Sequence, residues 1–114
     1  MVSDVRVAVL GCGTIGCMVA RLVVASGVAG AERTHLTRRN TALLEGMKHE
    51  GFIVSDDNRR AARGADLIII CLEPGHVLDV VDEIRDSLDP DNQIIISVAA
   101  GIGTDSIERT VGKP

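Results

Sequence analysis

A short apolar run in the first ten residues ends in three glycines spaced G-x-G-x-x-G, and a helix-like pattern follows at once. Residues 5–10 are rich in valine, which favours a strand, and the glycines are Gly11, Gly13 and Gly16. A strand, a tight turn and a helix in this order are the context in which such glycines bind a dinucleotide. This stretch limits the chain to folds in which a strand leads directly into a helix.

Each glycine has its own role in that interpretation. Gly11 makes the tight turn off the strand, Gly13 lets the backbone approach a pyrophosphate, and Gly16 lets the helix pack closely on the strand. Thr14 and Ile15 open the helix, whose first N–H groups are unpaired and carry the positive end of the helix dipole. We therefore predict that this loop holds a diphosphate. The alternative is a glycine-rich turn without a ligand.

Composition narrows the class of protein. The 114 residues suit one domain, and 46% hydrophobic with 25% charged residues predicts a folded chain. One Phe, no Tyr and no Trp argue against binding nucleic acid by base stacking, and a net charge of −4 gives no general basic surface for polyanions. We expect no nucleic-acid partner.

The sequence predicts neither a membrane segment nor a metal site. No apolar run approaches the roughly 18 residues of a membrane span, and no signal peptide opens the chain. The three cysteines are an odd number and lack zinc-ligand spacing. We expect a reduced, cytoplasmic protein.

Strand-like and helix-like segments alternate along the chain. Strands are predicted at residues 5–10, 34–37, 52–54, 66–72 and 93–98. Helices are predicted at residues 14–26, 41–50, 58–63 and 77–88, with residues 73–75 as a loop and a last helix beginning near residue 104. The alternation predicts an α/β fold, a Rossmann-type doubly wound parallel sheet of five strands in the order 3-2-1-4-5.

Two details of the helices follow from spacing and capping chemistry. Asn40 is predicted to cap the second helix. The buried stripe of the first helix is predicted from helical spacing to be Ile15, Met18, Val19, Leu22 and Val23.

Ligands of such sheets bind outside the carboxyl ends of the strands, where the strand order reverses. Residues 11–16, 37–40, 72–76 and 98–103 are predicted to meet there.

The residues about 20 positions beyond the glycines indicate which dinucleotide is bound. NAD-selective sites have an acidic residue there, which accepts hydrogen bonds from the ribose hydroxyls. This chain has Thr37, Arg38 and Arg39 instead. Arginine pairs bidentately with phosphate, so a ribose with a 2′-phosphate is favoured and the expected cofactor is NADP. The alternative is an arginine pair that is only solvated surface.

No catalytic residue is assigned, because in hydride transfer the cofactor carries the chemistry. His76 could donate a proton, although such a histidine more often simply begins a helix. Cys12, Cys17 and Cys71 are interpreted as packing residues. A solvated helix face is formed by Asp79, Asp82, Glu83 and Asp86.

These motifs together resemble the amino-terminal domain of pyrroline-5-carboxylate reductase over essentially the whole chain. The matching segments, in order, are GCGTIG, LTRRN, DN, ADLIIICLEP, ISVAAGI and SIE. A wider relative with the same nucleotide domain is the F420-dependent NADP reductase.

The resemblance implies a Rossmann domain over residues 1–114 that binds NADP. It places residues 11–16 on the pyrophosphate, Asn58 on the adenosine ribose, and three residues on the 2′-phosphate, namely Thr37, Arg38 and Arg39. Two stretches border the nicotinamide, formed by Leu72, Glu73 and Pro74 and by Ala99, Ala100 and Gly101. The family usually has lysine where this chain has Glu73, which reverses the local charge.

For a complete enzyme the resemblance implies hydride transfer from NADPH to a cyclic imine in proline biosynthesis. The family continues into a helical domain that dimerises and closes the imine site, and we expect that domain to be absent here. This chain alone is then expected to bind cofactor without turnover, and an imine substrate would need the second domain. A homodimer is possible. The alternatives are a stand-alone NADP(H)-binding module and a domain like that of the F420-dependent NADP reductase.

Overall fold

A computed structural model describes residues 4–98. Five strands form one sheet, in which every neighbouring pair is parallel and the order is β3-β2-β1-β4-β5. The strands are β1 (Val7–Leu10), β2 (Thr34–Thr37), β3 (Ile53–Ser55), β4 (Leu67–Ile70) and β5 (Ile94–Ser97). The predicted Rossmann-type fold is confirmed, and the predicted strand ends are right to within two residues.

Four α-helices and three short 3-10 segments connect the strands. The helices are α1 (Thr14–Ala25), α2 (Glu45–His49), α3 (Asn58–Ala62) and α4 (Pro74–Ile84). The 3-10 segments are Ala31–Arg33, Thr41–Leu44 and Arg85–Ser87. Among the helices that the structure describes, none is both long and apolar enough to cross a membrane.

The central strand β1 is covered on both sides. Ala8 and Leu10 point to one face, where they pack with alanines of α3 and aliphatic residues of α4 such as Val81. Val7 and Val9 point to the other face and pack in a cluster that includes residues of α1 and α2. Burial on both faces explains why β1 is a continuous apolar run.

The predicted buried stripe of α1 is largely wrong. Ile15, Met18 and Leu22 are 60%, 64% and 67% exposed, whereas Gly16, Ala20 and Val23 are buried. The helix packs on the sheet through its smallest residues because these let the two backbones approach closely. Helical periodicity correctly identified an apolar face of α1, but that face points to solvent and not to the sheet.

Two other local predictions need correction. The single helix predicted for residues 41–50 is divided into a 3-10 turn and α2, although Asn40 does cap the segment by accepting from the N–H of Ala42 at 3.2 Å. Residues 73–75 are not a loop. Pro74 is the first residue of α4 and Glu73 is its N-cap, which follows from the preference of proline for the first helical position.

Candidate functional site

The loop after β1 is tied to the end of β2 by backbone hydrogen bonds. The N–H of Cys12 donates to the carbonyl of Thr37 at 2.7 Å, and the N–H of Gly13 donates to the carbonyl of Gly11 at 2.9 Å. The end of β4 joins the same edge through Cys71, whose N–H donates to the carbonyl of Leu10 at 2.9 Å. The carboxyl ends of β1, β2 and β4 therefore meet, as the sequence predicted.

Gly11 occupies a position that other residues fill poorly. Its φ of +78° lies in the left-handed region, and a Cβ there would overlap the side chain of Leu72 and lie 3.0 Å from the carbonyl oxygen of Cys71. Leu72 thus packs directly on the glycine turn. This contact fixes the turn against the end of β4.

Gly13 differs from Gly11 because it faces open space. A Cβ built on Gly13 would meet no atom of the described residues within 4 Å. Gly13 is the N-cap of α1, and in the part of the chain that the structure describes no side chain caps this helix and its first turn holds no acidic residue. The positive end of the α1 dipole therefore opens onto a space that a Cβ would enter.

Gly16 lies at the contact between α1 and the loop. A Cβ at Gly16 would lie 3.3 Å from both the Sγ of Cys12 and the carbonyl oxygen of Gly11. The sulfur of Cys12 is in turn 3.4 Å from that of Cys17. The third glycine is thus required for close packing of the helix on the loop.

Thr37 is buried, with 1% of its surface exposed, and its hydroxyl contacts the protein itself. The hydroxyl accepts from the N–H of Gly11 at 3.3 Å and donates to the Oδ1 of Asn58. The Nδ2 of Asn58 donates to the Oε2 of Glu83 at 3.2 Å. Both residues were predicted to touch the cofactor, and in this structure they support the loop.

Arg38 and Arg39 follow β2 directly. Arg38 is half-buried and its N–H donates to the carbonyl of Ser55 at 3.1 Å, whereas Arg39 is exposed. Within residues 4–98 the ion pairs involve Arg21, Arg33 and Arg85, so neither guanidinium of the pair has a carboxylate within 4 Å. Two arginines that form no ion pair with a described residue therefore follow β2 at the edge where the loop lies.

The remaining predicted residues lie at the end of β4 and beyond β5. Glu73 is exposed at the start of α4, and His76 is an exposed residue of its first turn, with its N–H bonded to the carbonyl of Glu73 at 2.9 Å. Ala99, Ala100 and Gly101 lie outside the described residues.

Two thiols near the loop, those of Cys12 and Cys71, have raised pKa values because they lie in the protein interior. Burial raises the pKa of Cys12, and the hydrogen bond with Cys17 acts in the same direction. The positive charge of Arg38 acts in the opposite direction and lowers this pKa. Burial raises the pKa of Cys71 to about 11. In the described part of the chain no group of three or more His, Cys, Asp or Glu side chains could hold a metal ion.

A separate cavity of about 530 Å³ lies where the strands begin, at the edge of the sheet away from the loop. Its lining includes Arg6, Arg33, His35, Arg60 and Arg63. None of the residues predicted to bind cofactor contributes to it. The candidate site is therefore the open edge at the glycine loop.

Two residues of this edge were not predicted. Glu83 was interpreted as solvated helix surface, yet it holds Asn58 in place. The hydroxyl of Ser55 accepts from the N–H of Asp57 at 3.2 Å and lies 2.7 Å from the Nε2 of His35. No local pattern indicates either contact, because Glu83 is 25 residues from Asn58 and Ser55 is 20 residues from His35.

A parallel sheet in this order, with a glycine loop opening onto an uncapped helix, defines a Rossmann-type domain. The profile of the family described as "NADP oxidoreductase coenzyme F420-dependent" matches residues 6–101. The chain belongs to this family.

Curated relatives agree with this assignment. Pyrroline-5-carboxylate reductase 1 of Dictyostelium discoideum is 36% identical over 110 residues, which is 96% of this chain and 20% of that protein. Pyrroline-5-carboxylate reductase 2 of the same organism is 36% identical over 101 residues, 88% of this chain and 33% of that protein. The chain thus spans between a fifth and a third of the length of these relatives.

A solved structure shows the same relationship. The structure of a pyrroline-5-carboxylate reductase from Coxiella burnetii superposes with a TM-score of 0.88 at 27% identity, covering 97% of this chain and 41% of that one. The resemblance to the amino-terminal NADP-binding domain of this family is confirmed.

Proposed function

We propose that this chain binds NADP(H) and forms the nucleotide-binding domain of a reductase that acts on a cyclic imine. The observation that carries the choice of cofactor is the arginine pair at the end of β2, Arg38 and Arg39, which forms no ion pair with any residue that the structure describes. Arginine guanidinium groups pair with phosphate in a bidentate geometry, whereas a carboxylate accepts hydrogen bonds from ribose hydroxyls.

The chain's own residues divide the work of holding the nucleotide. The backbone at Gly13 and the first turn of α1, with Thr14 and Ile15, would receive the diphosphate, because among the described residues no atom lies near a Gly13 Cβ and no side chain caps the helix. Arg38 and Arg39 would neutralise the 2′-phosphate. Thr37 would act indirectly, because its hydroxyl accepts a hydrogen bond from the N–H of Gly11 and so positions the loop.

Residues at the end of β4 would border the nicotinamide. Leu72 already packs on the glycine turn, and Glu73, the next residue, is the N-cap of α4. Ala99, Ala100 and Gly101 are proposed as the facing turn by resemblance alone. When bound, NADPH supplies the hydride, and the protein's part is to hold it and to keep water away.

The relatives support an imine as the substrate. They are named pyrroline-5-carboxylate reductases, and pyrroline-5-carboxylate is a cyclic imine. Because the chain spans at most about a third of these proteins, we propose that imine binding and dimerisation need a further domain. The family description favours a second candidate, in which coenzyme F420 exchanges hydride with NADP at the same site.

Nucleotide titration monitored by NMR on the ¹⁵N-labelled chain tests the proposal. NADPH is expected to shift amide signals of residues 11–16 and 38–39 with higher affinity than NADH. Signals at the distant arginine-lined edge, such as those of Arg33 and Gly64, serve as the internal control. Shifts confined to that edge, or equal affinity for NADPH and NADH, would contradict the proposal.

A further inference from the structure

Cys12 and Cys17 place two thiols in contact beneath the glycine loop. Their Sγ atoms are 3.4 Å apart, and both cysteines are free. A disulfide has an S–S bond of about 2.05 Å, so a modest rotation of the side chains would bring the sulfurs within bonding distance. Cys12 is fully buried, whereas Cys17 is partly exposed in the first turn of α1.

We propose that Cys12 and Cys17 are an oxidation site, at which a low-molecular-weight disulfide such as oxidised glutathione converts the two thiols into an intramolecular disulfide. The sequence gives no zinc or C-x-x-C spacing for this pair. The contact exists because the turn at Gly11 and the start of α1 fold the loop back onto the helix.

The reaction takes place in two balanced exchanges. The thiol of Cys17 loses its proton to water, and the sulfur attacks the reagent disulfide, releasing one glutathione and leaving a mixed disulfide on Cys17. Cys12 then loses its proton and displaces the second glutathione. Two protein thiols are oxidised while one reagent disulfide is reduced to two thiols.

The difference in exposure between Cys17 and Cys12 determines which of the two exchanges occurs first. A reagent reaches the partly exposed Cys17 first and cannot reach Cys12, which has no exposed surface. Because only the thiolate attacks and burial raises the pKa of Cys12, the second exchange is expected to accelerate as the pH rises. The short distance between the sulfurs compensates by making that exchange intramolecular.

Oxidation is expected to distort the loop that we propose binds the diphosphate. Cys12 is fully buried in the loop and its N–H is bonded to the carbonyl of Thr37, so drawing its sulfur toward Cys17 is expected to shift the loop or α1. This consequence rests on the proposed function. We expect the oxidised chain to bind NADPH about tenfold more weakly, as for the loss of one charge-assisted hydrogen bond.

The test of the site itself needs no nucleotide. The chain is incubated with oxidised glutathione, and its intact mass is followed. Loss of two hydrogen atoms, reversed by dithiothreitol, is expected for the wild type and for Cys71→Ser, which leaves the pair intact. Cys17→Ser should show no such loss. A glutathione adduct that persists on Cys17, or a disulfide between two chains, would overturn the proposal.

NADPH titration of the reduced and oxidised forms tests the consequence, with Cys17→Ser treated in the same way as a control for other effects of the reagent. Weaker binding only in the oxidised wild type supports the coupling. Equal affinity of the two forms overturns the coupling. Failure of the reduced chain to bind NADPH would count against the proposed function, and the mass measurement would still decide whether the disulfide forms.

Discussion

The hydroxyl of Thr37 accepts a hydrogen bond from the backbone N–H of Gly11 at 3.3 Å. The same hydroxyl donates to Asn58, which in turn donates to Glu83 of α4 at 3.2 Å. One buried side chain therefore connects the turn after β1 to two helices on the far side of the sheet. Hydrogen bonds at a buried site are costly to leave unmade, so this connection fixes the position of the glycine loop.

Replacement Thr37→Val removes this connection while keeping the shape of the side chain. The N–H of Gly11 and the amide of Asn58 each lose a partner, so we expect the free energy of unfolding to fall by about 1–3 kcal/mol. Because the loop is then less well positioned, NADPH affinity should fall too. Denaturant unfolding and NADPH titration measure the two effects.

Thr34→Val is the matched control for Thr37→Val. Thr34 is also buried on β2, and its hydroxyl donates to the carbonyl of Gly30 at 2.9 Å, away from the loop. Its loss should lower stability similarly and leave NADPH affinity unchanged. An equal loss of affinity in both variants would show that Thr37 acts on stability alone.

Removal of both guanidiniums in Arg38→Ala/Arg39→Ala should weaken NADPH binding by about 10- to 100-fold and leave NADH binding nearly unchanged, because only NADPH carries the 2′-phosphate. Calorimetry with the two nucleotides measures the ratio. Arg63→Ala, an exposed arginine at the opposite edge, is the control and should keep the wild-type ratio. If the double variant also keeps that ratio, the pair is only solvated surface.

Gly13→Val is expected to abolish NADPH binding while the chain stays folded, because the new Cβ would meet no atom of the described residues and would enter the space that we propose for the diphosphate. Gly11→Ala should behave differently. Its Cβ would overlap Leu72 at a φ of +78°, so we expect a loss of stability first. Circular dichroism and NADPH titration distinguish the two. A folded Gly13→Val chain that still binds NADPH would mean that the loop is merely a turn.

His35 should make stability depend on pH. Burial, reinforced by the Arg60 guanidinium, lowers the pKa of His35 from its usual 6.5. Between the two values the unfolded chain binds more protons than the folded one, so the free energy of unfolding falls as the pH drops below about 6.5 and levels off below the folded pKa. His35→Gln should lose this dependence. A variant with the wild-type slope between pH 5 and 7 would contradict the assignment.

Because the chain spans at most about a third of the Dictyostelium reductases, we expect the 114-residue chain to bind NADPH without reducing pyrroline-5-carboxylate. Holding and shielding both reactants can contribute roughly 7–11 kcal/mol to lowering a barrier, and we propose that a further domain supplies most of this contribution. NADPH oxidation at high protein concentration is the measurement. Turnover of about 1 per second or more would show that this domain completes its own site.

Local sequence determined much of this protein. The glycine spacing between a strand and a helix predicted the first βα unit, and the alternation of elements predicted the strand order. The cap at Asn40 was also predictable, because capping depends on a side chain and an N–H only two residues away. These features follow from interactions between near neighbours in the chain.

Tertiary structure decided the rest. Helical periodicity predicted that Ile15, Met18 and Leu22 belong to the buried stripe of α1. Only the packed fold shows that the face with the smaller residues lies on the sheet. The contact of Thr37 with Gly11 and that of Cys12 with Cys17 were equally invisible, although one spans 26 residues and the other only five. Such contacts depend on how the turn aims each side chain in space, and that direction is set by close packing between elements rather than by the order of residues.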